Sequence, residues 1–297
     1  MSFDITAAFA EGYHHAVELN LQQKGSKLEK CVRCEIQNVE RYFYDRIGPT
    51  EAVDVTTRHG DTPLIETRFD RRAVTLTTSD WGDLIDRSDQ VKMLNDPTSA
   101  YALNAAYALG RKKDQRIIEA ALGNAYTGRT GQTSVALPTT QLVDADYRED
   151  GGTGNTGLTL DKLRMARELL DSADVDDTEE QYIILTARQM SNLLRSTEVT
   201  SSDYNTVRAL VNGTVDSFMG FNFVRVASNL LPKEGDIRSV LAWTKSGMLM
   251  ATSGGIITDI APRKDKRNAM QVYAALDVGA TRMDENKVIE IRCDEAV

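Results

Sequence analysis

The chain has 297 residues, 41% hydrophobic and 27% charged, enough to fold around a core as one large domain or two modest ones. Its formal net charge of −9 at pH 7 argues against a protein that holds nucleic acid tightly or by sequence, though not against one that sits next to it, since proteins that grip phosphates carry a basic face and none is evident here that survives the chain's own acids. No apolar run approaches the roughly 18 residues of a membrane span, Met1–His15 lacks the pattern of a secretory signal, and Cys31, Cys34 and Cys293 are too few for a disulfide scaffold and fit a reducing compartment.

Residues 2–24 predict an amphipathic helix, with Ile5, Phe9, Tyr13 and Ala16 or Val17 on one side and Gly25 ending it. Such a helix must dock on its own chain or on another. Residues 31–47 read as partly extended and are closed by Gly48-Pro49. A hairpin pattern follows. Glu51–Arg58 alternates around Val53 and Val55, His59 to Pro63 is turn chemistry, and Leu64–Thr78 alternates again. Glu66, Arg68, Asp70, Arg71 and Arg72 put charge on both faces of this ribbon. A two-stranded ribbon with little apolar face is marginal alone, so it needs a surface supplied by something else. That is the first sign that the monomer is not the working unit.

Asp96–Gly123 reads as a long spine helix, roughly 39 Å at about 1.5 Å per residue. Asp96 suits the N-cap, Pro97 the first helical position, and Gly123 a left-handed residue past the end. Leu103, Ala106, Gly110, Ile117 and Ala121 form a stripe at helical spacing. The first half, Tyr101 to Leu109, is apolar nearly all round and wants cover on every side. Gly110 leaves room for another backbone to come close.

Residues 126–157 are rich in Gly and Thr and read as loop or irregular strand. Thr159 then caps a helix with Leu163, Ala166 and Leu170 inward, and an acidic loop, Asp171–Glu180, leads to a buried strand at Tyr182–Leu185. A short helix through Met190, Leu193 and Leu194 follows, and Ser202 or Asp203 caps another. Phe221–Val226 and Val240–Trp243 read as strands, a small-residue helix is expected near Met248, and Ile256–Ala261 leads out. This alternation describes a small mixed domain. In the tail, Met270–Asp277 and Lys287–Cys293 are expected to pair as a hairpin across Gly279–Asn286 and to pack on the spine helix. No internal repeat is evident.

The motifs that suggest chemistry each have a plainer reading. Gly152 to Gly157 has dinucleotide-fingerprint spacing, but Tyr147-Arg148-Glu149-Asp150 before it is not a buried strand, so a flexible loop is the better reading. Cys31-x-x-Cys34 is half a zinc site without its other half, His14 and His15 being the only nearby candidates; structural cysteines fit better. His59 reads as a solvated turn residue. The carboxylates of Asp171–Glu180 crowd one loop, which reads as a solvated acidic turn, with a weak calcium site as the alternative. No nucleophile elbow or helical His-Glu-x-x-His pair exists. Arg263-Lys264-Asp265-Lys266-Arg267 is the densest basic run; it is either a charged linker or a contact to an acidic patch on a neighbouring subunit, which the acidic loop could provide.

The order of elements, with certain phrases, resembles tailed-phage major capsid proteins of the Hong Kong 97 type. The phrases are Thr156-Gly157-Leu158-Thr159 with Asp161-Lys162-Leu163, Gly220-Phe221, Asn229-Leu230-Leu231-Pro232, and Val278-Gly279-Ala280-Thr281-Arg282. The resemblance covers nearly the whole chain and implies an α+β capsid fold. Its parts would be an N-terminal arm (1–50), an extended E-loop hairpin (51–79), a peripheral domain with the spine helix (80–157 and 263–297) and an inserted axial α/β domain (158–262). It implies a non-enzymatic major capsid subunit without cofactors that forms pentamers and hexamers of an icosahedral shell around double-stranded DNA, bound without sequence specificity and without a membrane. Its place would be the virion capsid, assembled in the host bacterial cytoplasm, with portal, scaffolding and decoration proteins as further partners. Intersubunit contacts are expected at His59, Asp61, Arg68, Arg71 and Arg72 on the ribbon and at Arg263, Lys264, Lys266 and Arg267. An encapsulin-like nanocompartment shell is the near alternative and a soluble α/β enzyme the remote one.

Overall fold

The computed structural model describes residues 22–54, 56–58, 60–62, 64–85, 98–176, 178–195 and 217–296. Most of the expected terminal helix, His59, the caps Asp96 and Pro97, and the helix expected after Ser202 or Asp203 lie outside those residues. In chain order, a short 3-10 turn, Glu29–Cys31, leads into β1 (Arg33–Ile36) and β2 (Arg41–Ile47). Next are β3 (Phe69–Thr75), β4 (Thr77–Ile85) and the long helix α1 (Thr98–Leu122), followed by β5 (Ala125–Thr127), β6 (Thr133–Val135) and β7 (Leu142–Val143). Then come α2 (Leu160–Ser172), β8 (Gln181–Leu185), α3 (Ala187–Leu194), β9 (Ser217–Phe218), β10 (Phe221–Arg225) and β11 (Lys233–Glu234). The chain finishes with β12 (Ile237–Thr244), β13 (Met248–Thr252), β14 (Ile257–Arg263), β15 (Ala269–Arg282) and β16 (Val288–Asp294). The class is α+β, as the sequence indicates.

The strands form three sheets. One runs β7-β16-β12-β8-β10-β9 with β11 on β12. Its strands alternate between two cores, because successive side chains point to opposite faces. Ile183, Leu185, Val240, Ala242, Ile289, Ile291 and Cys293 face α2 and α3. Ile184, Leu241, Trp243 and Val288 face a second core shared with Ile117, Ile118 and Ala121 of α1 and with Ala274, Leu276 and Val278 of β15. The sheet is thus buried on both sides, and the two halves of the molecule share it. The helix over it is signed as expected: the Thr159 side chain accepts from the Lys162 amide. Lys162 is itself fully buried, and its ammonium donates to the carbonyls of Ala145 (2.8 Å), Thr156 (2.9 Å) and Arg292 (2.8 Å). Three donors meet three acceptors, which compensates the desolvation of the charge; burial lowers the pKa of this group.

In the second sheet β15 pairs antiparallel with β14 through residues 269–275, with β4 through 270–278 and with β13 through 278–282. Two expectations fail at this sheet. Met248–Thr252 is a strand, not a helix; it is buried almost throughout, so no alternation shows. The tail pair is not a hairpin either. β15 and β16 lie in different sheets, and β16 pairs with β12 from Ile237↔Asp294 to Trp243↔Val288. Met248–Thr252 and Ile257–Arg263 join the sheet under α1, and Val288–Asp294 joins the one under α2.

The third sheet, β2-β3-β5-β6, meets the second where β3 passes into β4. Gly279 lies at that crossing, and a Cβ there would sit 2.3 Å from the Thr75 carbonyl oxygen, so the close approach requires glycine.

The spine helix buries Ala105, Leu109, Gly110, Asp114, Ile117, Ile118 and Ala121. This stripe is rotated from the expected one, since Leu103 is 51% exposed. Gly123 is not left-handed; its amide donates to Glu119 and closes the last turn at 2.8 Å. Gly110 does admit a backbone, that of Gly25 and Ser26. Beside it the buried Asp114 carboxylate accepts from Ser26 Oγ at 2.5 Å and from the amides of Lys27 and Leu28 at 3.1 Å. Substituting Gly110→Ala puts a Cβ 2.6 Å from Gly25. Helix propensity favours alanine by about 1 kcal/mol, but backbone overpacking costs about 1–3 kcal/mol. A net loss of stability is expected in chemical denaturation; a stabilised variant would show that this segment does not press on the helix.

Candidate assembly interface

The charged ribbon is built by β2 and β3, paired antiparallel from Arg41↔Thr75 to Ile47↔Phe69. The expected partner of the second strand, Glu51–Arg58, is not in the ladder. Gly48 donates to Arg68 at 2.9 Å, and the chain then opens into a loop with no strand among its described residues. Gly48-Pro49 therefore ends the ladder rather than the arm, and Gly60 N–H to Thr57 C=O (3.4 Å) marks the turn at the tip.

Alternation gives the ribbon two unlike faces. One carries the pairs Tyr42/Val74, Tyr44/Arg72 and Arg46/Asp70 and is tied to the body. Arg72 is 1% exposed, and its Nη2 meets both oxygens of Glu285 at 2.5 Å. Burial lowers the Arg72 pKa, against the attraction of Glu285. Arg46 bonds Asp70 at 2.5 Å and the Met283 carbonyl, and Thr127 Oγ1 donates to Asp70 at 2.5 Å. Arg72, expected at an intersubunit contact, has a place on the strand that faces inward, and Glu285 occupies it. The other face carries Phe43/Ala73, Asp45/Arg71 and Ile47/Phe69. Arg71 pairs with Asp45 across the strands at 2.7 Å, in the open. Arg68 and Asp61 are exposed.

The charge-based reading missed the apolar side chains of this region. Phe69 is 71% and Leu64 97% exposed, and Ile47, Val53 and Ile65 are exposed with them. The cross-strand neighbours Ile47 and Phe69 make a continuous apolar pair, and the strand alternation of Phe69 against Asp70 was the signal for it. Most of the exposed large apolar residues among those described lie between Ile36 and Phe69.

The basic run is the tip of the β14–β15 hairpin rather than an interdomain linker. Arg263 is held by Asp265 at 2.5 Å. Lys264, Lys266 and Arg267 are exposed and in no ion pair among the described residues, and Arg267 and Asn268 are left-handed at φ 53 and 57. The acidic loop is largely engaged on its own chain: Asp171 with Arg167, Glu179 with Lys287, and Glu180 with Lys245, each at 2.8 Å. Among the described residues no cluster of His, Cys, Asp and Glu has metal-holding geometry. Cys31 is buried, and burial pushes its thiol up to about 11.

Long paired strands, an exposed apolar ribbon and a sheet shared between two cores define a protein made to be covered by others. Residues 5–295 match the family model described as phage capsid protein, and the chain belongs to that family. No curated protein matches it in sequence. Its fold is similar to the capsid of Ralstonia phage GP4 (TM-score 0.75, 11% identity, covering 99% of this chain and 97% of that one). It is also similar to the capsid of Cyanophage P-SCSP1u (0.71, 14%, 96% and 93%) and to a structure from Mycobacterium phage Che8 (0.69, 16%, 95% and 96%). The chain is a structural protein of the virion capsid, not an enzyme.

Burial pushes the Asp70 carboxyl up, but hydrogen bonds from Thr127, Arg46 and the Arg71 amide outweigh it and hold the pKa at about 2. That is below the ordinary value of about 3.9. Its contribution is therefore complete above about pH 5 and is lost as pH falls through about 2. Asp70→Asn should lower stability by about 1 kcal/mol at pH 7, after solvent screening, with the deficit closing toward pH 2. Denaturant unfolding across that range checks it; a constant deficit would refute the assignment.

Proposed function

We propose that the chain is the major capsid subunit of a tailed phage, assembling in the bacterial cytoplasm into pentamers and hexamers of an icosahedral shell around double-stranded DNA. The observation that carries this reading is the exposed apolar face of the ribbon. Ile47, Leu64 and Phe69 have no cover on their own chain, whereas burying one such side chain stabilises by about 1.5–3 kcal/mol. Laid across an adjacent subunit, the ribbon gains that cover, with Asp61, Arg68 and Arg71 at the rim. Closed symmetry then repeats a modest contact at every position. Leu103 on the spine helix and the basic tip at Lys264, Lys266 and Arg267 supply further contacts.

On this reading the unit under α2 and α3 is the axial domain and the unit under α1 the peripheral domain, each completed by strands that lie outside the boundaries suggested by sequence order. Portal, scaffolding and decoration proteins are further partners that such a shell implies.

The double variant Leu64→Asp/Phe69→Asp tests the ribbon contact. It should remain a folded subunit, with an unfolding transition close to wild type, because neither side chain packs in the core. It should form no closed shells in negative-stain electron microscopy and sediment as free subunits or small oligomers. Shells at wild-type yield would overturn the proposal.

A further inference from the structure

Two basic segments, each interleaved with acids in the sequence, meet on one surface. Residues 22–28 lie along α1, fixed by Asp114 and by the approach at Gly110. This brings the Lys24, Lys27 and Lys30 segment beside Arg111, Lys112, Lys113 and Arg116. Arg225 adjoins them, since Lys27 Nζ donates to its carbonyl at 2.8 Å. Three carboxylates belong to the same segments. Glu29 takes Lys113 at 3.0 Å, Glu119 takes Arg116 at 3.3 Å, and Asp114 is buried and engaged with residues 23–28. Arg111 and Lys112 keep their charge. Arg111 donates to Gln22 Oε1 at 2.8 Å and Lys112 to Gln115 Oε1 at 3.0 Å. Neutral acceptors hold these groups in place without cancelling them. Lys24 is exposed and in no ion pair among the described residues; Lys30 is exposed too, at a separate cleft lined also by Glu29, Glu179 and Glu180.

A groove runs beside this patch. Among the described residues its polar lining is Gln22, Gln23, Arg111, Lys112, Gln115 and Asn229, with no carboxylate and no aromatic ring. Amide and cationic donors suit phosphate oxygens, and the lack of rings disfavours unpaired bases, which bind by stacking.

We propose that this surface is where the subunit touches packaged duplex DNA through its phosphates, so that the face of α1 bearing it lines the shell interior. The proposal rests on the capsid reading above. It agrees with the net charge, which speaks against a tight hold: cations lie within the two segments at the patch, and acid predominates elsewhere on the chain. A small basic patch on an acidic subunit gives a weak, salt-labile hold, which orders the duplex against the wall without trapping it.

The test uses the full-chain subunit, a labelled mixed-sequence duplex of about 24 base pairs and fluorescence anisotropy over a salt series, with the charge-neutralising variant Lys24→Gln/Lys112→Gln. Wild-type affinity should fall with a log–log salt slope of about −0.9 per contacted phosphate, equally for a scrambled duplex. The variant's slope should be smaller by about 2, with shell formation in electron microscopy unchanged. Equal slopes for the two proteins would overturn the proposal. So would binding of polyaspartate but not of duplex, which would mark an acidic protein partner instead. Closed shells should not bind added duplex; binding as strong as that of free subunits would overturn the interior placement. Failure of both proteins to form shells under any condition would count against the capsid reading itself, whatever the DNA result.

Discussion

Arg282 is fully buried at the end of β15 and donates to the carbonyls of Ala120 (3.2 Å), Ala121 (2.8 Å) and Gly123 at the C-terminus of α1, and to Val135 (2.9 Å) of β6. The last carbonyls of a helix lack intrahelical donors and form the negative end of its dipole. One guanidinium answers both needs and ties the spine helix to the second and third sheets. Burying the charge is costly, and burial lowers its pKa; Glu285 offsets this and Arg72 adds to it. Glu285 pairs directly with Arg72 at the base of the ribbon, and its charge also favours the ionised form of Arg282 at the end of the spine, which the carbonyls hold in place.

The ribbon follows from this anchoring. Its inner face spends its charges on the body through Arg46, Asp70 and Arg72, which leaves the outer face and tip free of structural duty and able to remain apolar. A ribbon stabilised only by its own hydrogen bonds would be marginal. A ribbon fixed at its base holds its apolar pair in a defined direction, at a smaller entropic cost on docking.

Local chemistry was legible in the sequence; distant pairing was not. The Thr159 cap, the stripe Leu163, Ala166, Leu170 and the buried strand ending at Leu185 were readable because each is specified by neighbouring residues. Several phrases behind the capsid resemblance also prove to be places of particular chemistry. Gly279 admits the Thr75 carbonyl, Arg282 caps the spine, Lys162 binds three carbonyls, and the Leu231 carbonyl accepts from Arg238 at 2.8 Å. The strand at Met248–Thr252 was missed because burial on both faces erases period two. β16 was given to its sequence neighbour because nothing local names β12 as its partner. At the ribbon, Arg71 and Arg72 were grouped by charge although consecutive strand residues must point oppositely. The basic patch was invisible because it exists only when residues 22–30 lie beside residues 110–116.

The placement of β16 bears on how the subunit is made. This strand fills the interior of the seven-stranded sheet, between β7 and β12, yet residues 288–294 are synthesised long after the strands they join. Until they leave the ribosome, β12 presents an open edge and the core beneath α2 lacks Ile289, Ile291 and Cys293. Pairing over such a separation is slow, and open edges invite misassociation. The core under α2 is therefore complete only once β16 has docked between β7 and β12.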